Sequence, residues 1–135
     1  MELRYLYVGA EDTAAELRAW LAAVGGDAPR WRFQAFGADV AAVDPGVGPA
    51  VLVADHRPSG SILPIYAVDD LDAAQAAMEA GGWRVEGPSA GTPEGPTVLL
   101  RSPSGIEVAL LRVDRPTAME GAYADPGNDR RVMPD

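Results

Sequence analysis

At 135 residues with 47% apolar side chains, the chain can fill one packed domain, or two small modules that share a core. Twenty acidic residues against eleven basic ones leave a net charge of −9, which argues against nucleic acid, whose phosphates require a basic face. There is no cysteine and no lysine, and His56 is the one histidine; thiol nucleophiles, disulfides, thiolate metal sites, Schiff-base chemistry and the lysine-dependent phosphate loop are therefore excluded.

From Leu3 to Gly9 aromatic and apolar residues alternate, which predicts a strand. Asp12 or Thr13 can cap a helix whose apolar positions Ala14, Leu17, Trp20, Leu21 and Val24 follow helical spacing, and Gly25-Gly26 ends it. Residues 30–36 and 39–43 predict a hairpin around Gly37. Pro45-Gly46 and Gly48-Pro49 then make a turn before an apolar strand over 50–54. Glu2, Arg4, Glu11 and Asp12 interrupt the N-terminus, so no signal peptide is expected. No apolar run is long enough for a bilayer, and the expectation is a cytoplasmic protein without membrane partners.

His56-Arg57-Pro58-Ser59-Gly60 reads as a linker, after which the pattern repeats. A strand over 62–68 leads into a helix from Asp70 with Leu71, Ala74, Ala77 and Met78 on one face. Gly81-Gly82 stops it, and strands follow over 83–86, 96–101 and 106–112. The chain therefore reads as α+β: two tandem βαβββ modules, 1–56 and 61–113, making one structural domain overall. Residues 114–135 form a polar tail in which Met119 and Tyr123 are the large apolar groups. Docking on the body, docking on a partner and a mobile tail are all open.

In this repeat the chain resembles the vicinal oxygen chelate superfamily, which contains glyoxalase I, extradiol dioxygenases and the bleomycin- and fosfomycin-resistance proteins. Val8 and Val68, each followed by an acidic, Ala-rich helix, look like its two module openings. Ser102-Pro103-Ser104-Gly105-Ile106-Glu107 is similar to its D-P-x-G-x-x-E closing turn and strand. The resemblance covers about residues 3–113. It implies a cup-shaped, incompletely closed sheet in which the modules enclose a cleft.

The resemblance also implies one divalent metal held by His, Glu or Gln side chains on the first and last strands of the modules. Carried over by position, those places fall on Leu3, Leu63, Ala50 or Leu52, and Glu107. Only Glu107 can ligate, and one carboxylate in an apolar cup is a poor site for such an ion. The expectation is therefore no metal and no other cofactor, as in the metal-free, bleomycin-resistance-like branch.

Strand alternation puts Leu3, Tyr5 and Tyr7 on one face, with Leu6 and Val8 toward the helix. By the repeat, Leu63, Ile65 and Ala67 share the cleft face, as do Glu107, Ala109 and Leu111 of the last strand. Trp31 and Phe33 alternate together on a strand that can curve over the cleft. Each residue has a structural alternative. Tyr5, Tyr7, Trp31 and Phe33 can be sheet packing, and His56 a solvated turn residue. Glu107 can be a ligand contact, a general acid or base, or the partner of Arg101 or Arg112.

The expected ligand-binding set is thus Leu3, Tyr5, Tyr7, Trp31, Phe33, His56, Leu63, Ile65, Glu107 and Leu111, with Glu107 the candidate catalytic group. Such a surface suits an aromatic or amphipathic small molecule bound by shape and stacking, in a homodimer of the kind common in the family. The alternative is a glyoxalase-like lyase, isomerase or dioxygenase, using either a displaced metal site or metal-free acid–base catalysis by Glu107.

Overall fold

The computed structural model describes residues 1–134 and contains eight strands and three helices among them. They build two compact units. One comprises Tyr5–Ile62 together with the segment from Met119 onward; the other comprises Met1–Arg4 and Leu63–Ala118.

The first unit takes β1 (Glu2–Gly9) from Tyr5 onward, then α1 (Thr13–Val24), β2 (Trp31–Ala35), β3 (Ala38–Val43) and β4 (Ala50–Ala54). The strand order is β2-β3-β4-β1, parallel between β1 and β4 and antiparallel elsewhere. The Asp12 side chain caps α1 by accepting from the Ala15 N–H at 3.1 Å, and Gly25 closes it at φ 73°, where a side chain would be strained. Helix α1 packs Leu17, Trp20, Leu21 and Val24 against Val8, Ala41, Val43, Val51 and Val53. Full burial of a side chain such as Leu17 stabilises by about 1.5–3 kcal/mol, and the partly buried Trp20, Leu21 and Val24 add to it, which anchors the helix to that face.

The second unit repeats the plan with β5 (Ile62–Val68), α2 (Leu71–Ala80), β6 (Arg84–Thr92), β7 (Gly95–Arg101) and β8 (Glu107–Arg112). Its order is β5-β8-β7-β6, again with the one parallel pair between β5 and β8. Asp70 caps α2 through the Ala73 N–H at 3.0 Å. Leu71 and Met78 pack on Tyr66, Val68, Val98, Leu100 and Leu110, with Trp83 beside them. Glu94 is buried, and Arg4 grips its carboxylate with two hydrogen bonds of 3.0 and 3.1 Å, which offsets the cost of burying the charge.

One strand runs further than the sequence reading gives, and the tail, whose docking that reading left open, packs on the body. Strand β6 runs to Thr92 instead of stopping at Glu86, through a register shift between Glu86 and Ala90 with Gly87 at φ 73°. Gly87-Pro88 is accommodated here because β6 pairs with β7 alone and can bulge. The tail forms α3 (Ala118–Ala124) and then a bridge to β2, where the Gln34 N–H donates to the Arg130 carbonyl and the Val132 N–H to the Arg32 carbonyl, each at 2.8 Å. Its last residue, Asp135, lies outside the described residues.

Candidate functional site

On β1, β3 and β4 the residues that touch α1 alternate with residues on the opposite face. The register sets Tyr7 beside Leu52, Leu52 beside Ala42 and Ala42 beside Trp31, so one row crosses all four strands. An aromatic ring stands at each end of that row, with an Ala and a Leu between. Tyr5 and Phe33 lie two residues away on the same face. Trp31 and Phe33 are in tilted contact with centroids 5.7 Å apart, and Tyr123 of α3 meets Phe33 edge-on at 5.7 Å.

Burial divides this set. Tyr5, Trp31 and Leu52 are buried, as core packing requires, whereas Tyr7 and Phe33 are half-buried and His56 is exposed. Tyr7 and His56, forty-nine residues apart, come together. The Tyr7 Oη lies 2.9 Å from His56 Nε2, and the rings are 5.5 Å apart at 59°. Burial pushes the Tyr7 phenol up to about 12; the nearby Arg57 cation opposes this and Asp55 adds to it.

Backbone contacts explain why His56 stands there. The Gly9 N–H donates to the Ser61 carbonyl at 2.9 Å, and the Gly60 N–H donates back to the Gly9 carbonyl at 3.0 Å. A Cβ on Gly9 would sit 2.1 Å from the Pro58 carbonyl oxygen and 2.9 Å from that of Arg57. Only glycine lets the 55–61 loop close on the end of β1, two residues past Tyr7.

The remaining predicted residues belong to the other unit. Leu3 and Ile65 are half-buried there; Leu63 and Leu111 are buried, and Leu111 pairs with Ala67 across β5 and β8. Glu107 pairs in register with Arg101 and forms an ion pair with it at 3.3 Å. Arg101 also binds both oxygens of Glu86 and donates to the Gly105 carbonyl at 3.2 Å. Its hydrogen bonds hold the Glu86 carboxyl below the usual range.

Leu3, Leu63, Ala50 and Leu52, at the places where the family resemblance implies metal ligands, offer no donor. Among the described residues no group of three or more Asp, Glu or His side chains converges. The donor set does not fit a divalent ion.

A cavity of about 420 Å³ lies elsewhere, at the β2–β3 turn, lined by Gln34, Phe36, Asp39 and Asp55 among others. The sequence reading missed it. Its signal was the exposed Phe36 beside Gly37; Phe36 takes φ 52° and carries the Arg130 guanidinium 4.4 Å from its ring centre.

No family model matches the sequence, and no curated protein matches it. Solved structures do. The methylmalonyl-CoA epimerase of Mycobacterium tuberculosis is similar at TM-score 0.65 and 13% identity, over 87% of this chain and 91% of that one. A Streptomyces coelicolor methylmalonyl-CoA epimerase, solved with 2-nitronate-propionyl-CoA, gives TM-score 0.60 at 15% identity over 85% and 99%. A Legionella pneumophila chain named as an NAD-dependent benzaldehyde dehydrogenase gives 0.58 at 8% identity over 82% and 98%. The fold is accordingly the glyoxalase-like α+β fold. At these identities the likeness speaks for the fold alone, and the neighbours are named for different activities.

Proposed function

We propose that the chain is a metal-independent binding protein for a small aromatic or amphipathic molecule, of the glyoxalase and bleomycin-resistance type. The observation that carries this reading is the half-buried Tyr7 under the exposed His56, at one end of a row that continues through Leu52 and Ala42 to Trp31, with no group of three potential metal donors converging among the described residues. A phenol beside an imidazole combines a flat apolar surface with a polar rim, which is how pockets orient amphipathic ligands. Glu107 belongs to an Arg101-centred ion pair, and that pairing favours a structural role for it over acid–base catalysis.

The test is tryptophan fluorescence titrated with a panel of aromatic acids, amides and alcohols, before and after dialysis against EDTA. Saturable binding in the micromolar range, unchanged by the chelator, is expected. Binding that disappears with EDTA and returns with zinc or manganese would replace this reading with the metal-dependent one.

A further inference from the structure

The Tyr7–His56 contact has a property that neither residue has alone: it changes which atom offers a hydrogen bond according to protonation. In the neutral tautomer with its proton on Nδ1, the imidazole Nε2 accepts the phenol proton, and the Tyr7 oxygen has only lone pairs left for a ligand. With an imidazolium, Nε2–H donates to the Tyr7 oxygen at the same 2.9 Å, and the phenol O–H is released to donate elsewhere. Histidine is the side chain that makes this change near neutral pH.

We propose that Tyr7 and His56 form a proton-linked site for the negatively charged oxygen of an organic acid. This rests on the reading of the chain as a small-molecule binder and names the ligand class. The acid's oxygen accepts the freed Tyr7 O–H. One proton is taken up from solvent on His56 and stays there, and no covalent bond is made or broken in the ligand.

Four further charged groups bear on the pair. Arg57, in the same loop, acts on Tyr7 as a cation and favours an anion there. Asp55, also in the loop, opposes it, and its carboxylate accepts the Asp39 N–H at 2.9 Å. Asp39 of β3 is itself neutralised by two hydrogen bonds from Arg32, at 2.9 and 2.7 Å. The exposed imidazole leaves the pair reachable from solvent, and the Gly9 contacts hold its loop in place without a ligand.

The probes are 2-naphthoate and its neutral counterpart 2-naphthamide, followed by tryptophan fluorescence and by calorimetry in two buffers of different ionisation heat. Naphthoate is expected to bind about tenfold more tightly at about pH 6 than at about pH 8, with uptake approaching one proton, while naphthamide binds alike at both. His56→Gln should flatten the pH dependence. Tyr7→Phe, which keeps the ring, should weaken naphthoate about five- to tenfold at the lower pH and flatten its pH dependence.

Equal, pH-independent binding of both probes overturns the oxyanion site and leaves the binding reading standing. So does a pH dependence that survives His56→Gln. If neither probe binds at about 1 mM, the weak limit for a specific small ligand, the oxyanion site falls, while the binding reading is decided by the wider panel.

Discussion

Asp39 is half-buried at the start of β3, where Arg32 clamps its carboxylate, Gln34 donates at 3.1 Å and the buried Thr13 hydroxyl donates to its carbonyl. Burial alone would raise its carboxyl, but the hydrogen bonds from Arg32 and Gln34 outweigh that and hold it below the usual carboxylate range. A depressed folded-state value means that the stabilisation is present at neutral pH. It is lost as acid takes the pH down through the ordinary aspartate range and into the lower range of the folded protein. Asp39→Asn is therefore expected to cost about 1–2 kcal/mol near pH 7 and to lose less than the wild type on acidification below about pH 4, both read by urea denaturation. At this scale the sequence was partly legible. The alternation that puts Tyr5 and Tyr7 opposite Val8 follows from strand geometry, and Trp20 packs against its sheet as helix spacing implies. The Arg32–Asp39 clamp and the choice of Arg101 for Glu107 needed the registers of β2 with β3 and of β7 with β8.

Among the elements, the 55–61 loop is the piece that turns a strand end into a candidate site. Its grip on β1 depends on the missing Cβ of Gly9, because backbone oxygens, which cannot rotate away, occupy that space. Gly9→Ala should lower stability by about 2–3 kcal/mol, an overpacking cost, and separate His56 from Tyr7. Gly91→Ala in β6, where nothing lies within 4 Å of the added Cβ, is the matched control and should cost little. Melting temperatures of both variants check this, and a tyrosine titration in which the Tyr7 phenol moves from about 12 toward the ordinary value would report the displaced loop. The repeat, both helix caps and most strand bounds could be read from periodicity and turn residues. Strand β6 and the tail could not. A bulged edge strand carries turn residues, and α3 is a single short helix whose Tyr123 acquires its partners, Phe33 and the Val132 carbonyl, only through packing.

For the whole molecule, no helix among the described residues is long and apolar enough to cross a membrane. The homodimer expected from the family resemblance is a proposal with a direct measurement. Light scattering of the purified chain should return twice the 14.1 kDa of one copy, and a mass of one copy overturns it. A net charge of −9 also predicts that, if a dimer forms, acidic surfaces oppose its assembly at low ionic strength, so the dimer fraction should rise with added salt.

Local rules act over a few residues: alternation, helical spacing, capping and glycine stops. They were enough for the order of the two βαβββ modules and the faces of their strands. Which distant side chains meet is a matter of register and loop closure, and those depend on backbone contacts between segments far apart in the chain. The pairing of Tyr7 with His56 was therefore decided by the tertiary structure, through the close approach of the 55–61 loop to Gly9.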